Sequence, residues 1–480
     1  MKHERGVNRN FLRCRRVARA EDRAARSRVD CEWSLTIPAV ASLSPEPSRR
    51  KPEFRPASGP PSGPTNMVPS GTGTRHDRMH IRINIPAWGW REHFSAAGSL
   101  VMGGRSHHGQ QLQDALAAVA PGYHVYLLSS ARFGLAAAIR QLGLDRPRVA
   151  VPAYVCPAVI TAIAKAGGQP VYVDVEPGSI GYDRTELETR VSRREVDAII
   201  GANTYGLDQD YEHLNRLSLP VIEDAAYQSG RRVGPAGVPC GLRAPAGVWS
   251  FNFKALTAIG GGVLFAQSAL PELAQLPPPG LDFPMLRRYA EYFLRSVGRT
   301  RIPKSLPGAS QPGPTDFTFV RESLKQLCAA RMTELQAALA LAQWHRRQEL
   351  FAIQAAHSRS LADQLRLATG LSLLQGQAEQ VMPHLFPVLL PAGKSDVGAA
   401  VLAFRQAMHE HSVQTEDTYP ILAGERAEFP NAYDLAERMV LIPCNASLRT
   451  VDLRQVGKAL SAAWEATARR GFAPGRGPGP

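Results

Sequence analysis

Val221-Ile222-Glu223-Asp224-Ala225-Ala226-Tyr227 reads as a buried strand, Val221–Glu223, that ends on a carboxylate. An unpaired carboxylate at the end of a buried strand is costly, so Asp224 calls for a cationic partner. The same residue also reads as a structural cap of the next turn. Six further apolar runs of similar length flank it: Val125–Leu128, Val149–Val151, Val171–Val175, Ala198–Gly201, Val248–Phe251 and Gly262–Phe265. Helix-like segments such as Phe133–Leu142 and Ala158–Ala166 lie between several of them. Short unbroken apolar runs fit strands buried on both faces. Their alternation with helices predicts an α/β fold, a mostly parallel central sheet with helices on both faces. In such sheets ligands bind beyond the carboxyl ends of the strands.

Two more groups fall at such ends. Ser129-Ser130-Ala131-Arg132 follows Val125–Leu128 and opens a helix. A helix N-terminus offers free N–H groups and a positive dipole end to a phosphate. Ser130 adds a hydroxyl and Arg132 a planar fork of donors; alone, Ser130 is equally an N-cap. Ser250-Phe251-Asn252-Phe253-Lys254 runs on to Gly260-Gly261-Gly262. A lysine just past an apolar strand, beside a tight glycine turn, is partly desolvated, which frees its amine as a nucleophile toward aldehydes. In isolation it reads as a solvated loop lysine.

The chain has 480 residues, 44% of them hydrophobic, enough for a large core and two domains. No run of eighteen apolar residues suggests a membrane-spanning helix, and no secretory leader is evident. Cys14, Cys31, Cys156, Cys240, Cys328 and Cys444 form no Cys-x-x-Cys pair, so neither a metal site nor a disulfide framework is implied. A cytoplasmic location is expected. Of the net charge of +14, residues 1–78 contribute +8, from 16 Lys/Arg against 8 Asp/Glu. The remaining +6 is no nucleic-acid footprint, since no basic stripe interleaved with aromatics accompanies it. It suits a phosphorylated ligand as well as it suits ordinary surface charge.

Residues 1–78 are expected to be a disordered Arg- and Pro-rich segment, with Met79 as the natural start. Residues 79–268 form the large domain. A Pro-rich, basic insert spans 269–330, in which Leu286–Lys304 reads as a basic amphipathic helix, solvated or touching a membrane surface or partner. Residues 331–470 form a smaller α+β domain, opening with one long helix over Arg331–Gln364 and including Leu385–Leu390, Val397–His411, Val440–Ile442 and Val451–Ala466. Residues 471–480 are a frayed tail.

The order of these groups (phosphate cup, strand-end Asp, then Lys thirty residues later with glycines behind it) resembles fold-type-I pyridoxal-phosphate enzymes. More closely, the chain resembles the DegT/DnrJ/EryC1/StrS family of sugar aminotransferases across about residues 85–465. Val151-Pro152-Ala153-Tyr154 is similar to the family's V-P-[AS]-[FY]. Ala166-Gly167-Gly168-Gln169-Pro170-Val171-Tyr172-Val173-Asp174-Val175 is similar to A-G-A-x-P-V-F-V-D-V. Thr204-Tyr205-Gly206 resembles L-Y-G, and Val221 to Ala226 matches V-I-E-D-A-A. Ser250-Phe251 with Lys254 resembles S-F…K. Arg331-Met332-Thr333-Glu334-Leu335-Gln336-Ala337-Ala338-Leu339 is similar to R-M-[ST]-E-[IL]-Q-A-A-[IL].

The resemblance implies that Lys254 carries pyridoxal 5'-phosphate and shuttles protons, and that Asp224 pairs with the pyridine nitrogen. It implies that Ser130, Ala131, Arg132 and Ser250 hold the phosphate. Tyr154, Cys156 and Tyr227 complete the implied cofactor site. It further implies a homodimer that transfers an amino group, from L-glutamate, to a nucleotide-linked keto sugar. Relatives that replace the lysine by histidine dehydrate instead, so Lys254 favours amination over a dehydratase. A non-catalytic cofactor-binding regulator is the other alternative. Five positions depart from the family pattern: Tyr227 replaces Gln, Cys156 an aromatic, Arg132 a threonine and Ala329 an asparagine, and Ser250 stands four residues before Lys254 where five is usual.

Overall fold

The computed structural model describes residues 81–102, 106–233, 237–277, 283–298, 329–367, 370–377, 380–392 and 396–469. The expectations for 1–78, for 471–480 and for most of the insert lie outside these residues. Seven strands form one sheet: β1 (His124–Leu128), β2 (Arg148–Pro152), β3 (Gln169–Val173), β4 (Ala198–Ala202), β5 (Val221–Asp224), β6 (Ala246–Ser250) and β7 (Gly262–Ala266). Their order is β1-β7-β6-β5-β4-β2-β3. Only β7 runs against the others, pairing antiparallel with β1 and β6. The α/β expectation holds, with every strand placed within two residues of its expected run. β4, β6 and β7 are buried at every position, as strands covered on both faces must be.

Helices α1 (Trp90–Met102) and α2 (His108–Ala117) precede β1. Helices α3 (Ala131–Arg140) and α4 (Pro157–Lys165) pack against each other and join the apolar cluster with Val149, Ile222, Val248 and Leu264. On the other side, Trp249, Phe251, Val263 and Phe265 share a cluster with α2 and with Leu335, Leu339 and Trp344. Burying side chains of this size contributes roughly 1.5–3 kcal/mol each. These two clusters clamp the sheet and fix its carboxyl edge.

Helix α5 (Phe283–Gly298) is the described part of the expected basic amphipathic helix. It is not simply solvated. Tyr289 and Tyr292, three residues apart and so on one face, lie against Trp88, and Tyr292 also meets Phe253 with ring centroids 4.4 Å apart. Its other side leaves Leu294 and Val297 exposed. The long helix expected over 331–364 is two helices, α6 (Glu334–His345) and α7 (Arg347–Leu367), separated at Arg346. Arg346 leaves helical geometry where its guanidinium engages the buried Glu92 of α1 at 2.9 Å. Helix α6 packs on α1 and α2, within the sheet's own core.

The apolar cluster of the C-terminal half takes up α7 from Leu361 onward. It joins the antiparallel pair β8 (Leu385–Leu389) and β9 (Met439–Pro443) to helices α8 (Val397–Glu410), α9 (Pro430–Arg438) and α10 (Thr450–Ala468). Ile81, Ile83, Tyr154, Tyr205 and Tyr227 belong to that same cluster, so the two halves of the chain are fused at the sheet edge. No helix among the described residues is long and apolar enough to cross a membrane.

Candidate active site

Five parallel strands end at one edge: β1 at Leu128, β2 at Pro152, β4 at Ala202, β5 at Asp224 and β6 at Ser250. The sequence-predicted residues follow those ends directly. Ser130 is the N-cap of α3: its extended backbone lets Oγ accept from the Phe133 N–H at 3.2 Å. Ala131 and Arg132 are the first two helical residues, whose N–H groups have no partner inside a helix. The start of β7 presses on this turn. A Cβ on Gly262 would stand 2.2 Å from the Ala131 nitrogen, so only glycine permits the approach. Ser129 is held from the other side, its N–H donating to the Ala330 carbonyl at 2.9 Å, so the Ala329–Met332 segment is laced along β1. Burial lowers the affinity of the Arg132 guanidinium for its proton, and Cys156 offsets this.

Glu223 and Asp224 alternate across β5 and meet opposite fates. Glu223 is fully buried and accepts from Arg243 N at 2.8 Å, Nε at 2.9 Å and a terminal nitrogen at 2.6 Å, and from Asn203 at 3.2 Å. Asp224 accepts from the Ala226 N–H at 3.0 Å, and among the described residues it has no cation at ion-pair distance. Burial raises its pKa from 3.8 to about 6, despite the opposing pull of that N–H and of Lys254.

Lys254 follows Phe253, which is held at φ 50, the left-handed region that costs an aromatic residue energy. Part of the lysine reaches solvent, but its ammonium sits 3.3 Å from the ring centroid of Tyr227. Desolvation lowers its pKa from 10.5 to about 8, with Cys156, Asp224 and Glu416 pulling the other way. Ser250 ends β6, and its Oγ accepts from the Asn252 N–H at 3.4 Å.

The structure joins the expected Tyr154 and Tyr227 to two further tyrosines, Tyr205 and Tyr419, in one wall. The hydroxyls of Tyr227 and Tyr419 meet at 2.6 Å, and so do those of Tyr154 and Tyr205. The Tyr419 N–H donates to Tyr154 at 3.3 Å, and the rings of Tyr205 and Tyr419 stack 5.5 Å apart. Tyr154 is only 1% exposed, and burial raises the pKa of all four phenols. Cys156, the N-cap of α4, is close enough to Lys254, Arg132 and all four of these phenols to act on them electrostatically. His384 stacks on Phe253 at 6.1 Å and bonds Asn84 at 3.0 Å; burial, then Lys254, holds its pKa down to about 3. Of the residues added to the expected ones, only Tyr205 carried a sequence signal, within Thr204-Tyr205-Gly206. Tyr419, His384 and Glu416 come from the C-terminal half, with no local pattern that marks them.

A profile of the DegT/DnrJ/EryC1/StrS aminotransferase family matches residues 94–461. The chain is 33% identical over 122 residues to a UDP-2-acetamido-2-deoxy-3-oxo-D-glucuronate aminotransferase of Pseudomonas aeruginosa, covering 24% of this chain and 33% of that one. It is 29% identical over 241 residues to an L-glutamine:2-deoxy-scyllo-inosose aminotransferase of Streptomyces lividus, covering 49% of this chain and 51% of that one. These alignments thus span a third to a half of the relatives' lengths. Among solved structures, the fold is similar to the PMP form of a putative sugar aminotransferase, Spr1654, of Streptococcus pneumoniae. That likeness has a TM-score of 0.63 and 17% identity, and covers 82% of this chain and 100% of that one.

Proposed function

Since the chain belongs to the DegT/DnrJ/EryC1/StrS aminotransferase family, we propose that it uses pyridoxal 5'-phosphate to move an amino group from an amino acid to a nucleotide-linked keto sugar. The observation that carries this reading is the buried Asp224, which lacks a cation, on the same small site as the weakly basic Lys254. A protonated pyridine nitrogen supplies the missing charge, so the residues fit the cofactor.

When bound, the cofactor supplies an aldehyde and an electron-withdrawing ring for carbanion chemistry. Asp224 holds the ring nitrogen protonated. Lys254 Nζ, short of protons at neutral pH for a lysine, is the nucleophile toward the aldehyde. Freed when the donor's amine takes its place, the Lys254 amine would accept the proton from the donor's Cα and, in the second half-reaction, would give one to the acceptor carbon. Ser130, the Ala131 and Arg132 amides, the Arg132 guanidinium and Ser250 hold the phosphate. Tyr227 replaces the family's Gln and offers its hydroxyl toward the ring's 3-oxygen. Cys156 and Tyr154 would help to hold the ring, with the Tyr205–Tyr419 stack packed against Tyr154 and Tyr227.

The donor is L-glutamate in this reading, with L-glutamine the competing candidate. A homodimer is part of the proposal: Trp90 (78% exposed) and Phe94 (71%) on α1 adjoin Leu294 and Val297 on α5 through the His93–Phe293 contact, an apolar face that a second copy would cover. Cytoplasmic residence is supported by the unpaired thiols of Cys156, Cys240 and Cys444.

The test is to load purified protein with pyridoxal phosphate and supply glutamate or glutamine, then a panel of nucleotide keto sugars. Keto-acid release followed by an aminated sugar supports the reading. Bound cofactor without a half-reaction from any donor points to the regulator instead, and loss of water from the sugar points to a dehydratase.

A further inference from the structure

Residues 81–88, α5, the start of α7 and the loop 446–449 enclose a cavity of about 220 Å³. Four guanidinium groups line it: Arg82, Arg295, Arg346 and Arg449. Two are fully engaged. Arg346 is bound by Glu92 at 2.9 Å and Glu349 at 2.8 Å. Arg449 takes the only carboxylate lining the cavity, Asp452, at 3.1 Å. Arg295 bonds Glu291 and the Asn84 carbonyl, yet its Nε is buried without a partner among the described residues. Arg82 makes no hydrogen bond or ion pair to any described residue, and it shares the cavity wall with Arg295, near enough for the two charges to repel. Burial, and then Arg295, lowers the pKa of Arg82.

Two cations brought together in a partly desolvated cavity repel one another, and a doubly charged anion removes that cost. Guanidinium forks match phosphate oxygens two at a time. Much of the remaining wall is apolar, from Ile85, Trp88, Leu350 and Ile353, with Ser296 and Ser447 between them. A carboxylate would leave such a cavity mostly empty, whereas an organic phosphate fills both its charged and its apolar parts.

We propose that Arg82 and Arg295 bind the phosphate oxyanions of an organic phosphate in this cavity, with the apolar wall receiving the group that carries them. In assigning that phosphate to the acceptor, the inference rests on the function proposed above. A chain of contacts links the cavity to the reacting lysine. Asn84, whose carbonyl accepts from Arg295 at 3.3 Å, also bonds His384 at 3.0 Å, and His384 stacks on Phe253, the neighbour of Lys254. Tyr292 makes a second link, reaching Asn252 at 3.2 Å.

The test is calorimetric titration of the cofactor-loaded full chain with uridine diphosphate and, separately, with pyrophosphate, for the natural protein, Arg82→Met and Arg82→Lys. Arg82→Met is expected to weaken uridine diphosphate binding at least tenfold, and Arg82→Lys to recover part of the loss. Because Arg82 has no bonded neighbour among the described residues, melting curves of the variants should match the parent. Tighter binding of uridine diphosphate than of pyrophosphate assigns the site to a nucleotide, and equal binding assigns it to the free oxyanion; both support the arginine pair. Unchanged affinity in Arg82→Met, or no binding of either anion to the natural protein, overturns the inference. The glutamate half-reaction of the natural protein, run without nucleotide, tests the proposed function separately.

Discussion

The ammonium of Lys254 lies 3.3 Å from the ring centroid of Tyr227, and the hydroxyl of that ring is held by Tyr419, 192 residues further along the chain. A cation over an aromatic face is stabilised by the ring quadrupole. The face of Tyr227 therefore serves the lysine while its edge serves a second phenol. Tyr419→Phe should remove the hydrogen bond, cost about 1 kcal/mol of stability and weaken pyridoxal phosphate binding several-fold. Tyr227→Phe should weaken it further by taking away the hydroxyl itself. Equilibrium dialysis, with a pH titration of the visible absorption band, measures both. An unaltered band in Tyr419→Phe would show that the phenol pair has no bearing on the cofactor.

Asp224 sets a pH dependence in the cofactor-free protein. Its pKa is raised from 3.8 to about 6, so its contribution is fully present below the unfolded value and is lost as pH rises through the folded one. Stability should fall between about pH 4 and 6, by at most about 3 kcal/mol, at 1.36 kcal/mol per unit. Asp224→Asn keeps the acceptor for the Ala226 N–H and should flatten that limb. Denaturant midpoints at successive pH values check it, and parallel profiles for the two proteins would contradict it.

Arg132 stands where relatives carry a threonine, at the first turn of α3. Arg132→Ala should raise the dissociation constant for pyridoxal phosphate about tenfold, the loss of one charge-assisted contact. Affinity equal to that of the parent would remove Arg132 from the phosphate site.

Gly262→Ala should be among the most damaging small changes in the sheet. Its Cβ would lie 2.2 Å from one backbone atom and 2.5 Å from another, neither able to rotate away. A loss of about 3 kcal/mol or more is expected, together with weakened cofactor binding, because the displaced backbone is that of Ser130 and Ala131. A thermal melt and a cofactor titration report the two effects independently.

Glu223→Ala should cost about 3–5 kcal/mol, since it leaves the largely buried Arg243 guanidinium with only Asp208 as an acidic partner among the described residues. Urea denaturation gives the number. A change below 1 kcal/mol would mean that Asp208 alone suffices.

Much of the sheet was legible because its strands are short apolar runs bounded by turn residues, a pattern written locally. The strand-end positions of Ser130, Asp224 and Lys254 followed from it. The break between α6 and α7 was not legible: Arg331–Gln364 contains neither proline nor glycine, and the interruption comes from Glu92, over 250 residues away, drawing Arg346 aside. The packing of α5 turned on Tyr289 and Tyr292, aromatics within a basic stretch, whose partners Trp88 and Phe253 no spacing rule connects to them. The tyrosine wall was hidden for the same reason. Tyr419 sits in irregular chain, and its meaning lies entirely in Tyr154, Tyr205 and Tyr227.

Tyr154, Tyr205 and Tyr227 stand in one apolar cluster with the β8–β9 strand pair and with α8, α9 and α10. A scanning calorimeter should therefore record a single endotherm for the cofactor-free chain. A ligand seated at the sheet edge should move that whole peak upward, without splitting off a shoulder for either half.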